Sequence, residues 1–327
     1  MPKVSVIIPT RNRADFLRSA IASVLNQTYQ DFELIVVDDA SKDNTREVVA
    51  SFADSRIKYF CHQTGRGDGG ARNTGIINSS ADYIAFLDDD DQWLPEKLGL
   101  QLTVLENSPA HIGGVYTGQF DVNDTDGEIS KICSPNRRGD LSQYLFKDPC
   151  IVTSTVLFRR ECFEKLGLFD ESIPYCNDYD MWIRIAKEYH FECIEEPLVK
   201  YLIHTNKLST NFKLSIRGRE LILEKYRQDF KHHRKAHGYG YQVLGETYCY
   251  DGNVEKGREA FLKSMKIYPF EIRCYVHFCL SLLGAKNFKA TKEFVRQLFA
   301  PLRGRKLNSE FRKCVSQTLH PYGETPH

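Results

Sequence analysis

The N-terminal half of the chain alternates short, almost wholly apolar runs with stretches whose apolar residues recur every three to four positions. Val4–Ile8 is apolar apart from Ser5 and stops at Pro9, the pattern of a strand buried on both faces. Ala14–Asn26 follows with Phe16, Ala20, Ile21, Val24 and Leu25 on one helical face. Glu33–Val37 reads as a second strand, and Ser41 or Asp43 can cap the helix carrying Val48, Val49 and Phe52. Arg56–Phe60 is a third strand, followed by a glycine-rich loop and a helix near Ala71–Asn78. Tyr83–Leu87 is a fourth, ahead of a Pro95-led helix. This βαβαβαβ rhythm predicts an α/β fold on a mostly parallel, doubly wound sheet, with ligands at the carboxyl ends of its strands. Each of those ends is polar or acidic.

From about Gly113 the pattern changes. Gly114–Phe120 and the stretch after Gly127 predict strands around an Asp126-Gly127 turn. Thr153–Phe158 reads as β, Asp180–Glu188 as a helix and Leu198–Ile203 as a late strand, after which the chain is predominantly helical and ends in a polar tail near 320–327. No apolar run approaches the ~18–20 residues of a membrane span. At 42% hydrophobic and 27% charged, the 327 residues exclude a disordered or fibrous chain.

The net charge of +1 conceals an asymmetry. Residues 1–206 carry 21 Lys and Arg against 32 Asp and Glu, whereas residues 207–327 carry 23 against 11. An acidic unit is thus joined to a basic one. The ten cysteines form no CxxC pair, and the N-terminus does not read as a signal peptide. Reduced thiols in a cytoplasmic protein are expected, without a zinc site.

The strongest chemical signal is Asp88-Asp89-Asp90-Asp91 after a buried strand. Adjacent carboxylates repel, and a hard divalent cation that also bridges to a diphosphate relieves the repulsion; a solvated acidic turn is the simpler alternative. Asp38-Asp39 after the second strand could accept a nucleobase imino N–H, with Pro9, Thr10, Arg11 and Arg13 at the neighbouring strand end, or could begin a capping turn. Gly65–Gly70 satisfies GxGxxG, but it follows the third strand rather than the first, so a dinucleotide fingerprint is not expected. Arg72 lies early in the next helix and can fork onto diphosphate oxygens. Asp178 stands at the edge of the Asp180–Glu188 helix, either as a cap or as a general base facing a cleft. Trp182 can offer a plate to a sugar ring or serve as core. His204 after the late strand reads as structural, exposed or a ligand.

In combination these residues resemble the family 2 glycosyltransferases of GT-A fold. The resemblance rests on residues 4–13, Ser23–Thr28, Glu33–Asp39, Gly70–Gly75, Phe86–Asp91 with Trp93 and Pro95, and Asp178–Arg184. It covers roughly residues 3–210, which implies a catalytic domain over 1–210 and a helical extension over 211–327. It implies inverting, metal-dependent transfer of a sugar from a nucleotide-diphosphate donor, UDP- or dTDP-linked, to an acceptor hydroxyl in cell-surface polysaccharide or glycoconjugate synthesis. Pro9, Thr10, Arg11, Arg13, Asp39, Arg72, Asp88 and Asp89 correspond to nucleotide and donor contacts. Asp90, with Asp88 and His204, corresponds to the ligands of Mn²⁺ or Mg²⁺, and Asp178 to the catalytic base. Trp93, Asp180 and Trp182 are expected on the acceptor side, facing a glycan or lipid-linked acceptor. A scaffold that kept the fold and lost activity is the alternative, against which Asp39, Asp90 and Asp178 stand intact. Nucleic acid is not an expected partner.

In the basic half, Leu214, Leu221, Ile222, Tyr226 and Phe230 lie among many Lys, Arg and His residues in 214–235. Such a helix packs on the acidic domain or lies on the inner face of an anionic membrane. Leu244-Gly245, Tyr248, Gly252, Gly257, Phe261, Ser264 and Pro269 resemble one tetratricopeptide unit, within a TPR-like stretch around 241–297 that could bind a protein partner.

Overall fold

The computed structural model describes residues 1–146, 151–204 and 211–299. The polar tail, the 205–209 stretch after His204 and the expected domain limit at 210 lie outside the described residues. The first half builds β1 (Val4–Thr10), α1 (Ala14–Leu25), β2 (Phe32–Asp38), α2 (Thr45–Ala50), β3 (Ile57–Cys61), α3 (Gly67–Ile77) and β4 (Tyr83–Phe86). β5 (Gln92–Trp93), α4 (Lys97–Glu106), β6 (Ile112–Asn123), β7 (Ile129–Cys133) and α5 (Ser142–Leu145) follow. A 3-10 turn over Thr153–Thr155 leads into β8 (Val156–Arg159), α6 (Glu161–Leu166), α7 (Asn177–Ala186) and β9 (His190–Ile203). The extension comprises α8 (Phe212–Lys225), α9 (Arg227–Phe230), α10 (Arg234–Asp251), α11 (Val254–Ile267), α12 (Ile272–Ser281) and α13 (Gly284–Phe299).

One sheet runs in the order β3-β2-β1-β4-β8-β6-β9-β5, with β7 paired to β6. The first four strands are parallel, as the alternating pattern predicts. β8 runs antiparallel to both β4 and β6, while β9 is parallel to β6. The strand order reverses beside β1, so a crevice opens at the ends of β1 and β4. β1 is apolar on both sides because both are covered. Val4, Val6 and Ile8 pack with Leu17, Val24 and Leu102 of α1 and α4, and Ile7 packs on the opposite face with Phe86, Phe158 and Trp182.

Several boundaries shift for local reasons. α3 begins at Gly67 rather than near Ala71, because the Asp39 carboxylate accepts the Arg66 and Gly67 N–H groups at 2.6 and 2.9 Å. α7 begins at Asn177, so Asp178 lies within its first turn. The strand expected over 153–158 starts late, at Val156, and runs to Arg159, because the Thr153 and Ser154 side chains turn back onto Asp178 and Asp91.

The basic helix meets the acidic domain. Ile216, Ile222, Leu223, Tyr226 and Phe230 join the same core as Trp182 and Phe158, and Lys225 pairs with Asp170 and Asp180 at 2.8 and 2.7 Å. The apolar face of 214–235 is thereby packed on the acidic domain, the first of its two expected placements. Among the described residues no helix is long and apolar enough to cross a membrane. α10 and α11 cross closely: a Cβ on Gly245 would stand 2.7 Å from Phe261 and one on Gly257 2.5 Å from the Cys249 Sγ.

Trp93 does not reach the cleft, which corrects its expected acceptor role. It is 4% exposed, its Nε1 donates to the Ser154 carbonyl at 2.7 Å, and the Lys97 Nζ lies 3.9 Å from its ring centre. An indole N–H so placed leaves no face for a ligand. Lys97 is fully buried and donates to Gln101 Oε1 at 2.5 Å. Burial lowers its pKa well below the usual lysine value. A lysine depressed on folding sheds a proton, so the native state gains relative stability as pH rises toward the unfolded value of about 10.4. Lys97→Met should therefore exceed the wild type in stability at pH 7, and the gap should narrow by up to ~1.4 kcal/mol per pH unit on approaching pH 10. Urea unfolding of both proteins at pH 7, 8.5 and 10 measures that slope, and a constant gap would contradict it.

Candidate active site

The ends of β1, β2 and β4 converge on a cleft of about 800 Å³. Its walls include Pro9, Thr10, Arg11, Arg13, Asp39, Arg72, Asp88, Asp89, Asp90, Asp178 and Trp182. Local geometry distributes the four aspartates. Asp88 Oδ1 accepts from Arg72 at 2.8 Å. Asp89 accepts from Thr10 Oγ1 at 2.7 Å and from Arg13 at 3.0 Å. Asp90 accepts from Arg13 at 3.1 Å and lies 2.9 Å from His204 Nε2. Asp91 turns inward, taking Ser154 Oγ at 2.6 Å and the Leu202 N–H at 3.2 Å.

These arrangements offset only part of the cost of crowding carboxylates. Burial, with Asp90 adding repulsion, pushes Asp89 up to about 7 against the pull of Arg13 and Thr10. Burial likewise raises Asp88, opposed by Arg72 and aided by Asp90 and Asp68.

Arg72 links the two ends of the site. It is 4% exposed, and besides Asp88 it donates to Asn177 Oδ1 at 2.9 Å. Asn177 is the residue before Asp178. The Asp178 carboxylate accepts from Thr153 Oγ1 at 3.0 Å at the start of α7, where a carboxylate is favoured by the helix dipole. Asp39 holds α3 and pairs with His62 Nδ1 at 2.7 Å and Arg11 at 3.6 Å. Asp39 thus caps α3 rather than α2, the helix that follows it in the chain, and it lines the cleft as well.

A hard divalent cation requires oxygen-rich donors converging on one point. Among the described residues no group of three or more acidic, histidine or cysteine side chains converges to hold one. Carboxylates at Asp88 and Asp90 with an imidazole at His204 nevertheless match in type, since Mg²⁺ and Mn²⁺ sites on phosphate substrates often take one or two protein carboxylates and complete the shell from phosphate and water. His204, stacked on Phe16 with ring centres 4.6 Å apart, is held beside Asp90.

Two further acceptor-side expectations are corrected. Asp180 is fully buried, paired with Arg184 at 3.0 Å and Lys225 at 2.7 Å and bonded by the Tyr226 hydroxyl at 2.8 Å. Its helical position turns it away from the cleft to fasten the extension to the catalytic half. Trp182 reaches the wall of the cleft but is 1% exposed, stacked on Phe158 at 4.7 Å, with no free face for a sugar. Sequence reasoning missed Thr153, which no motif marks, and the use of Asn177 as the partner of Arg72.

The comparisons with known proteins agree with this geometry. Residues 5–167 match the glycosyl transferase family 2 model. The chain is 36% identical over 208 residues to an uncharacterized glycosyltransferase of Rickettsia typhi, a match covering 62% of this chain and 64% of that protein. It is 33% identical over 210 residues to Escherichia coli WfgD, a UDP-Glc:alpha-D-GlcNAc-diphosphoundecaprenol beta-1,3-glucosyltransferase, covering 64% of this chain and 80% of WfgD. Staphylococcus aureus TarS 1-349 in complex with UDP superposes with a TM-score of 0.60 at 16% identity, over 90% of this chain and 91% of that one. Pyrobaculum calidifontis mannosyltransferase PcManGT in complex with GDP-Man and Mn²⁺ gives 0.55 at 18%, over 97% and 84%. The fold is of GT-A type. The chain belongs to glycosyltransferase family 2.

Asp180→Ala should cost about 3 kcal/mol, because Arg184 and Lys225 lose a fully buried carboxylate. Denaturant unfolding measures this, and a change under 1 kcal/mol would show that its pairs with Arg184 and Lys225 do not fasten the extension.

Proposed function

We propose that the protein is a metal-dependent inverting glycosyltransferase that moves a sugar from a UDP- or dTDP-linked donor to a hydroxyl of a lipid-linked glycan acceptor. The observation that carries this reading is the Arg72 bridge, which ties Asp88 of the acidic loop to Asn177 beside Asp178 across one cleft. The WfgD resemblance supports a prenyl-diphosphate acceptor, and the Mn²⁺ in PcManGT supports a cation at the acidic loop.

Thr10, Arg11, Arg13 and Asp39 hold the nucleoside end, and Asp88 and Asp89 face the ribose and diphosphate. Asp90, with Asp88 and His204, would hold Mn²⁺ or Mg²⁺, which when bound supplies positive charge to the leaving diphosphate. Asp178 takes the proton of the acceptor hydroxyl as that oxygen attacks the anomeric carbon. The bond to the diphosphate oxygen breaks on the opposite face, and the nucleoside diphosphate departs with the electron pair. Thr153 orients Asp178, and the fixed charge of Arg72 offsets negative charge at the centre of the cleft.

A thermal-shift screen of UDP-, dTDP- and GDP-sugars with Mn²⁺ identifies the donor, and donor hydrolysis follows on the hits. Asp178→Asn should lower transfer by at least 10³-fold, in the range of lost base catalysis, with nucleotide affinity within twofold. Parallel loss of both would reject the base assignment. Asp90→Ala should abolish the Mn²⁺ dependence of donor binding in calorimetry. Nucleotide binding without any turnover would identify a binding scaffold instead.

A further inference from the structure

The cleft continues past Asp178 beneath the helical extension. Its far walls are apolar, formed by Phe146 and Ile151 from the catalytic half and by Leu214, Leu223, Phe230 and Val243 from the extension. This arm exists because α8, α9 and α10 close over the catalytic half.

One charged residue of the extension lines the cleft among those described: Arg219 on α8. Its Nε donates to Ser215 Oγ at 3.2 Å, and its guanidinium carbon lies 5.4 Å from the centre of the Tyr175 ring. No carboxylate among the described residues forms an ion pair with it. Gly218 next to it presses against the same segment, since a Cβ there would collide with the Tyr175 carbonyl. Arg219 and Asp178 line the same cleft. Tyr175 precedes Asp178 by three residues, a backbone span of at most ~11 Å.

A guanidinium paired with no carboxylate among the described residues, at the mouth of an apolar arm and beside a proposed base, suits an amphiphilic phosphate. We infer that Arg219 and this arm bind the diphosphate and first prenyl units of a lipid-linked acceptor. The inference rests on the lipid-linked reading above and adds to it the residue that recognises the phosphate. Tyr175 positions the guanidinium, and Leu214 and Leu223 contact the hydrocarbon.

Isothermal titration with farnesyl diphosphate as the probe, at saturating UDP to fill the donor end, decides the matter. Arg219→Ala should weaken farnesyl diphosphate at least tenfold, and Arg219→Lys should weaken it less. Leu214→Glu should weaken farnesyl diphosphate and farnesol alike. All three variants should keep UDP affinity within twofold and a wild-type Tm. An Arg219→Ala affinity within twofold of wild type would overturn the proposal, as would inorganic diphosphate binding as tightly as the prenyl compound. If UDP fails to bind, the donor reading falls, while titration of the probe without UDP still decides the role of Arg219.

Discussion

Four consecutive carboxylates at the end of a buried strand must each find a partner, and the arrangement of the cleft follows from where those partners come from. Arg72 reaches Asp88 from α3, Thr10 and Arg13 reach Asp89 from the end of β1, and His204 reaches Asp90 from the end of β9. Ser154 takes Asp91 from the turn before β8. Charge neutralisation in a low-dielectric site thus draws five separate stretches of chain to one point. Burial nevertheless displaces Asp88 and Asp89 upward, against the pull of Arg72 and Arg13.

The same economy governs the junction with the extension. Asp180 and Asp170 are acidic residues of the catalytic half, and Lys225 of α8 meets both. Around that contact the apolar faces of α8 and α9 merge with the core around Trp182 and Phe158. The opposite charges of the two halves reflect, in part, these contacts across a shared core. The extension is therefore a wall of the cleft as well as an appendage to it.

Most of the fold was legible because burial on both faces leaves a strong trace. β1, β2 and β4 are nearly continuous apolar runs ending in polar residues, and few other structures use such a pattern. The acidic cleft was legible for a related reason, since Asp88–Asp91 and Asp39 stand at strand ends where topology places ligands. The placement of three other candidates was not. Trp93, Asp180 and Trp182 have the residue types that bind sugars, but aromatic and acidic side chains on a helix or short strand are also what a core and a buried ion pair require. Only the direction in which each side chain points separates the two uses.

The sequence by itself determined the class of fold, the strand ends that carry chemistry and the acidic loop, because these depend on local order: runs, turns and adjacent charges. The tertiary structure alone decided which carboxylates stay in the cleft and which become fastenings. It also decided that Arg72 joins Asp88 to Asn177, and that an extension of the chain encloses an apolar arm beside Asp178. Those outcomes depend on pairs separated by tens of residues and, for Arg72 and Asn177, by 105, whose proximity follows from packing and leaves no periodic mark on either segment.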